Sequence, residues 1–216
     1  MSPFSRSRLA VLTVSAGLVL AGCGDGAATD EGHDDHGAVA QVEGPEDSYA
    51  GLDLPDPYQR PSFTLTGPGG QPYDFAAETG GEPTLLFFGF TNCPDICPTT
   101  MADVAVALRG VDPALAEQVQ VVFVTTDPAF DTPEVLAEYL GRFDADLPTR
   151  FIGLTGDQAA IDQAQLAAGV PQAEDNGRLH SSLLLLYGTD DLADVAFDAG
   201  NTSRDIAEDL ALVTQA

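Results

Sequence analysis

Two long apolar runs separated by one helical segment constrain the fold of this chain more than any other feature. The first, EPTLLFFGF, ends at Phe90, and the second, QVQVVFVTT, ends at Thr126. Each has the length and composition of a strand buried on both faces, because an uninterrupted apolar run leaves no face for water. Between them, residues 98–109 have a helical apolar stripe made of Met101, Val104, Ala105 and Leu108. Pro98 suits the first position of this helix, because its missing N–H would be unpaired there anyway.

The remaining segments extend this strand-helix-strand unit. TPEVLAEYLGRF predicts a helix with Pro133 in its first turn. TRFIGL, DQAAIDQAQLAAG, HSSLLLLYG, LADVAFDAG and SRDIAEDLALV follow as strand, helix, strand, strand and helix. Before the unit, SFTLTGPGGQPYDFAA predicts a β-hairpin that turns at residues 68–70. This order resembles an α/β thioredoxin-like sandwich with a mixed central sheet and an added N-terminal β-hairpin.

The charge of the chain excludes one class of partner. Its 216 residues contain 34 acidic residues against 8 basic ones, which gives a formal net charge of -26. Such a chain repels nucleic-acid phosphates, so we expect no nucleic-acid partner. The charge indicates solubility rather than a particular function, and no motif points to a small-molecule substrate.

The N-terminus has the pattern of an export segment. Arg6 and Arg8 precede a twelve-residue apolar run, Leu9 to Leu20, which is short for a membrane-spanning helix. The next residues, Ala21-Gly22-Cys23, complete a pattern that resembles the lipobox of bacterial lipoproteins. This resemblance implies a signal peptide over 1–22, lipidation of Cys23, and anchoring to the extracytoplasmic face of the cell membrane.

A polar segment follows the lipidation motif. Residues 23–60 are rich in Gly, Ala, Asp and Pro, which predicts a flexible acidic tether, with the folded domain over 61–216. The tether contains His33 and His36 in the sequence HDDH, which could hold a divalent metal weakly. A solvated linker is the simpler interpretation, because a metal site there must offset the entropy of ordering the segment.

Cys93 and Cys97 stand in CPDICP, between the first buried strand and the first helix. A structural disulfide, a redox couple and a pair of metal ligands are three interpretations of this spacing. A bridge across three intervening residues would remove little chain entropy, so stability is a weak reason for the pair. A helix N-terminus stabilises thiolates, the form that attacks disulfides and binds metal, and two soft sulfurs suit Cu(I).

One histidine and two acidic residues could complete such a site. His180 is the sole histidine of the predicted domain, and it opens a strand whose preceding loop faces the cysteine turn in a thioredoxin-like sheet. A surface histidine is the alternative interpretation. Asp127 follows the second buried strand and could influence a metal site. Asp131 or Thr132 could cap the next helix, and Asp131 is the expected cap.

Four segments in this order resemble the Sco/SenC family of membrane-anchored copper chaperones: FGFTNCPDICPTTM, TTDPAFDTPEVLAEYL, FIGLTG and LHSS. The resemblance implies that Cys93, Cys97 and His180 bind one copper ion, with Asp127 as a possible outer neighbour. It also implies a role in assembling the dinuclear copper centre of cytochrome c oxidase, with subunit II as the partner. Asn92 stands where the family often has histidine, and YGTDDLADV lacks the family's usual turn.

Whether the protein is an enzyme stays open at this point. The same sulfurs could form the catalytic redox pair of an extracytoplasmic thiol-disulfide oxidoreductase that acts on the cysteines of the oxidase subunit. The spacing has one residue more than the thioredoxin motif, which counts against general disulfide exchange. A peroxidase with Cys93 attacking and Cys97 resolving is only loosely indicated by FTNC.

Overall fold

A six-stranded mixed sheet forms the centre of the protein, as the apolar runs predicted. The computed structural model describes residues 48–173 and 181–214. The order across the sheet is β1-β8-β7-β4-β5-β6, and β2 and β3 form a separate hairpin. The strands are β1 Leu52–Gln59, β2 Thr64–Thr66, β3 Pro72–Asp74, β4 Thr84–Gly89, β5 Gln120–Thr125, β6 Ile152–Leu154, β7 Leu184–Tyr187 and β8 Leu192–Phe197.

Helices cover both faces of this sheet. Their bounds are α1 Phe75–Thr79, α2 Ile96–Gly110, α3 Pro113–Ala116, α4 Pro133–Asp144, α5 Gln158–Ala167 and α6 Ser203–Val213. The helices α2, α4 and α6 bury their apolar sides on one face, and α5 and the hairpin do so on the other. The predicted α/β thioredoxin-like sandwich is therefore confirmed. No helix in the described ranges is long and apolar enough to cross a bilayer.

The alternation of side chains along β4 explains its continuous apolar run. Leu85 and Phe87 belong to the core on the α2 face, and Leu86 and Phe88 belong to the core on the α5 face. Successive side chains of a strand point to opposite faces, so a strand covered on both sides needs apolar residues at every position. All six residues of β4 are buried.

The pairing of β4 determines which segments meet at its C-terminal end. It runs parallel to β5, with Gly89 opposite Thr125. It runs antiparallel to β7, with Phe87 opposite Leu184. The C-terminal ends of β4 and β5 and the start of β7 therefore lie at the same end of the sheet. The cysteine motif follows β4 at this end.

The N-terminal hairpin is confirmed, and two short helices were not predicted. The strands β2 and β3 pair antiparallel on either side of a 3₁₀ turn at Pro68–Gly70. The helices α1 and α3 have five and four residues. An apolar stripe needs about two turns to be recognised in a sequence, so helices of this length leave no periodic pattern.

The predicted tether ends too late in the chain. Residues Leu52–Gln59 form the edge strand β1, which pairs antiparallel with β8. Pro55 and Pro57 and the acidic residues beside them gave this segment the composition of a linker. Proline is tolerated in an edge strand because one side of the strand makes no ladder hydrogen bonds, and the pairing register shifts between Asp53 and Tyr58.

Arg60, which the sequence placed at the end of the tether, is a buried cation. Its side chain is 3% exposed, and its Nε donates a 2.6 Å hydrogen bond to Oδ1 of Asp191. The guanidinium also lies 5.1 Å from the centre of the Tyr187 ring. Its remaining hydrogen bonds go to the hydroxyls of Thr79 and Thr84 and the carbonyls of Glu82 and Gly188. One side chain thus joins β1, β4 and β7 at the end of the sheet away from the cysteines.

We expect Arg60→Ala to lower the free energy of unfolding by about 3 kcal/mol, because several buried acceptors lose their donor together. Arg142→Ala is the matched control, since Arg142 makes a surface ion pair with Glu138 in which both side chains are more than half exposed. Urea denaturation measures both variants. Equal midpoints for the two would show that Arg60 does not hold the strands together.

Candidate metal and redox site

The two motif cysteines flank the start of α2. Cys93 lies in the turn after β4 and is half-buried, and Cys97 is the second residue of α2 and is 0% exposed. Both are free thiols. The backbone N–H of Cys97 donates to the sulfur of Cys93 across 3.4 Å, so the sulfur of Cys93 lies at the N-terminal end of the helix. This N–H is one of the first-turn donors that have no carbonyl partner inside the helix.

The helix begins two residues before the predicted start. Its first residue is Ile96, which makes Pro98 the third residue rather than the first. Proline is still accommodated, because the N–H groups of the first turn have no partner inside the helix. The earlier start places Cys97 itself in the helical turn.

Gly89, the last residue of β4, allows Cys97 to approach the sheet. A Cβ at this position would lie 2.9 Å from the sulfur of Cys97, 2.7 Å from Cε1 of Phe87 and 3.2 Å from Cζ of Phe123. Any side chain there would displace the start of α2. The sulfur of Cys97 therefore lies near two aromatic rings of the core, those of Phe87 and Phe123.

Burial raises the pKa of the Cys97 thiol well above its usual range. A hydrogen bond with the backbone of Phe90 opposes this shift, and the proximity of Cys93 and Asp131 adds to it. The thiolate of Cys97 is thus unfavourable unless a positive charge is bound beside it. A soft metal cation supplies that charge, because a coordinating thiol loses its proton.

A buried carboxylate fastens the turn that carries the cysteines. Asp131 is 1% exposed and accepts hydrogen bonds from the backbone N–H and the hydroxyl of Thr91. It also accepts a 2.6 Å hydrogen bond from the hydroxyl of Thr125, at the end of β5. Thr91 stands two residues before Cys93, so Asp131 ties the cysteine turn to the neighbouring strand.

The expected capping role of Asp131 is wrong, because the next residue performs it. Thr132 is the N-cap of α4, and its hydroxyl accepts from the N–H of Val135. Asp131 points inward instead. Aspartate and threonine are both good N-caps, and the sequence alone does not say which of two adjacent candidates turns toward the core.

Asp127 is half-buried and lies at the end of the sheet that carries the cysteine turn. Its N–H donates to the hydroxyl of Thr125, and its carbonyl accepts from Phe130 and Asp131 in the turn before α4. Its carboxylate makes no hydrogen bond with any described residue. An influence of this carboxylate on a metal therefore stays a prediction.

His180, Cys23, His33 and His36 lie outside the described residues. Within 48–173 and 181–214, no group of three or more His, Cys, Asp and Glu side chains is placed to share a metal ion. The structure thus brings Cys93 and Cys97 together and does not test the predicted third ligand. The strand β7 begins at Leu184, four residues after His180 in the sequence.

Sequence reasoning missed three side chains around the sulfurs. Thr91 and Thr125 hold Asp131, and Tyr139 of α4 lines a surface cavity of about 290 Å³ beside Thr91 and Asn92. Nothing in a single sequence marks Thr91 and Thr125 as partners of a carboxylate. Tyr139 occupies an apolar position of α4 and is therefore predicted only as a core residue.

Comparisons with known proteins assign the chain to a family. The family model described as SCO1/SenC matches residues 54–215 of the chain. The chain belongs to the SCO1/SenC family. The matched range begins inside β1, so the edge strand that the sequence analysis assigned to a tether is part of the family's domain.

Curated relatives of this Sco-family chain include copper proteins. It is 40% identical over 144 residues to a putative copper-binding protein of Stutzerimonas stutzeri, covering 63% of this chain and 68% of the relative. It is 40% identical over 81 residues to Protein sco1 of Schizosaccharomyces pombe, covering 38% of this chain and 29% of that protein. The chain thus spans between about a third and two thirds of these relatives.

Solved Sco structures share the fold. Apo Sco1 of Thermus thermophilus is 29% identical with a TM-score of 0.65, and the match covers 79% of this chain and 100% of that one. Copper-bound ScoI of Bradyrhizobium japonicum is 31% identical with a TM-score of 0.60, covering 73% and 99%. BsSco, described as a Sco-family cytochrome c oxidase assembly protein with a disulfide switch, is 26% identical with a TM-score of 0.55, covering 75% and 96%.

We expect Asp131→Asn to lower the free energy of unfolding by about 2–4 kcal/mol, because an amide offers one acceptor oxygen to three buried donors. The N–H of Thr91 should then exchange faster with solvent, which amide hydrogen exchange measures alongside urea denaturation. Asp127→Asn is the matched control, since the Asp127 carboxylate accepts no hydrogen bond from a described residue. Unchanged protection of Thr91 in Asp131→Asn would contradict the fastening role.

Proposed function

We propose that this protein is a membrane-anchored copper metallochaperone. It holds copper with the sulfurs of Cys93 and Cys97 and the imidazole of His180, and it assists assembly of the dinuclear copper centre of cytochrome c oxidase. The observation that carries the proposal is the pair of free sulfurs at one helix start, with the N–H of Cys97 directed at the sulfur of Cys93. The copper proteins among its relatives support the choice of metal.

The donor set fits copper. Thiolates are soft ligands, and imidazole also suits copper, whereas Mg²⁺ and Ca²⁺ prefer oxygen ligands. A structural zinc site normally requires four protein ligands, and the proposed donor set of Cys93, Cys97 and His180 has three. Copper is the cargo of the proposed function rather than a resident cofactor.

The pairing of β7 supports His180 as the third ligand. Leu184 lies opposite Phe87, so β7 begins at the end of the sheet where β4 leads into the cysteine turn. His180 precedes Leu184 by four residues, a span of at most about 14 Å for an extended chain. His180 is therefore close enough to β7 in the sequence to reach the cysteine turn.

The unequal burial of the two sulfurs suits transfer. Cys97 is buried in the first turn of α2, whereas Cys93 is half-buried in the turn before this helix. A site with three protein ligands leaves room for an incoming donor before an existing bond breaks. An acceptor protein would therefore approach from the side of Cys93, and Cys97 would release the metal last.

The location and the partner follow from the same proposal. Cys23 would carry the lipid that anchors the domain to the extracytoplasmic face of the cell membrane, and cytochrome c oxidase subunit II would receive the copper. The acidic chain, with a net charge of -26, does not favour contact with anionic lipid surfaces, so a covalent lipid is the better explanation for membrane attachment.

We expect the reduced chain to bind one Cu(I) ion, because the three proposed donors would together form one site. Cys93→Ala, Cys97→Ala and His180→Ala should each weaken binding by more than about tenfold, since each removes a coordinating atom. Competition with a chromogenic Cu(I) chelator measures the change. The control is His33→Ala/His36→Ala, which removes the two histidines of the predicted tether and should leave this site unchanged. Tight binding that survives all three ligand substitutions would overturn the proposed site.

A second candidate function is thiol-disulfide exchange on the cysteines of the oxidase subunit. The two sulfurs are free and adjacent at a helix start, and BsSco carries a disulfide switch on the same fold. Oxidation of Cys93 and Cys97 to a disulfide would remove both soft donors. Redox state would then decide whether the protein can hold copper.

In the reduced protein, Cys93 should react with iodoacetamide at least tenfold faster than Cys97, because Cys97 is fully buried and burial raises its pKa. Mass spectrometry of peptides after timed alkylation measures the two rates. In an exchange reaction Cys93 is then the attacking sulfur, and His180→Ala should preserve that activity while it weakens copper binding. Faster modification of Cys97 would contradict the assigned order.

A further inference from the structure

Tyr139 has a buried hydroxyl that no other described residue satisfies. Its side chain is 6% exposed, and its hydroxyl oxygen makes no hydrogen bond within the described part of the chain. A buried hydroxyl without a partner costs about 1–3 kcal/mol, so such a group requires an explanation. Phenylalanine would fill the same space in α4 without this cost.

The ring of Tyr139 packs in the same core as the cysteines. The centre of this ring lies 5.8 Å from the centre of the Phe123 ring. Cζ of Phe123 and the sulfur of Cys97 both lie within 3.2 Å of the position that a Cβ on Gly89 would occupy. Cys97 and Tyr139 belong to one core cluster, and Cys93 packs against that cluster. The tyrosine also lines the cavity that opens beside Thr91, at the start of the cysteine turn.

The electrostatic neighbours of Tyr139 agree with this position. Burial raises the pKa of its phenol, and negative charge on Cys97, Cys93 and Asp131 raises it further, in that order. A tyrosine hydroxyl is a hydrogen-bond donor as well as an acceptor, so it can donate to a negatively charged neighbour.

We propose that Tyr139 is a positioning residue of the copper site whose hydroxyl donates a hydrogen bond to the sulfur of Cys97 when that sulfur is a metal-bound thiolate. This role rests on the proposed copper function. A protonated thiol is a weak acceptor, whereas a thiolate is a strong one, so the partner of the hydroxyl forms when copper binds. The cost of the unpaired hydroxyl in the metal-free protein is then offset in the loaded protein.

A second tyrosine provides a matched control. Tyr187 is also fully buried, and its hydroxyl likewise has no hydrogen-bond partner among the described residues. It lies in the other core cluster, at the far end of the sheet, where it faces Arg60 and pairs across the strands with Thr84. Tyr187→Phe removes a buried hydroxyl that is likewise unpartnered among the described residues, from the core cluster that does not contain the cysteines.

The experiment compares the full-length chain with Tyr139→Phe and Tyr187→Phe in three measurements. Urea denaturation of the reduced, metal-free proteins measures stability. Competition with a chromogenic chelator measures the Cu(I) dissociation constant. The absorption spectrum of the Cu(II) complex measures the energy of the thiolate-to-copper charge-transfer band.

We expect Tyr139→Phe to weaken Cu(I) binding by about tenfold, the size of one hydrogen bond to a charged group. Its charge-transfer band should move to longer wavelength, because a thiolate without the donor holds its electrons less tightly. The stability of the metal-free variant should be unchanged or raised, since an unpaired hydroxyl has been removed. Tyr187→Phe should leave affinity and spectrum unchanged.

Each outcome separates the role of Tyr139 from the copper function. If the unsubstituted chain binds copper and Tyr139→Phe binds it with the same affinity and spectrum, the positioning role is wrong and the copper function stands. If Tyr139→Phe loses stability in parallel with affinity, the hydroxyl has an ordinary structural role and the proposal is wrong. If the unsubstituted chain binds no copper, the copper function fails and the role of Tyr139 fails with it.

Discussion

The contact between the first turn of α2 and the end of β4 is the constraint on which the site depends. Gly89 has no side chain, so the sulfur of Cys97 can occupy the space over Phe87 and Phe123. The same contact directs the N–H of Cys97 toward the sulfur of Cys93. A larger residue at position 89 would push the helix start away and separate the two sulfurs from the core that orients them.

Buried polar groups complete this arrangement from the neighbouring strand. Asp131 receives three hydrogen bonds and joins the turn before Cys93 to the end of β5. A carboxylate this deeply buried is stable because its oxygens are satisfied, and it adds negative charge near the sulfurs. The site thus favours a bound cation over free thiolates, and Tyr139, whose hydroxyl has no hydrogen-bond partner among the described residues, belongs to the same core cluster.

Much of the fold could be predicted because burial on both faces leaves a continuous apolar pattern, as in β4 and β5. The edge strand β1 could not, because an edge strand accepts the proline and aspartate that also mark a linker. Pro98 was a sound indicator of the helix start, but the boundary lay two residues earlier at Ile96. The local preferences of single residues show that a helix or strand is present more reliably than they show where it begins and ends.

The sequence by itself determined the order of strands and helices, the position of Cys93 and Cys97 between the first buried strand and its helix, and the family resemblance, because these depend on local pattern and spacing. Only the tertiary structure decided that Asp131 turns inward while Thr132 caps α4, that Arg60 is buried, and that the hydroxyl of Tyr139 is buried without a hydrogen-bond partner among the described residues. These facts depend on contacts between segments far apart in the chain, and a contact of that kind leaves no periodic trace in the residues that make it.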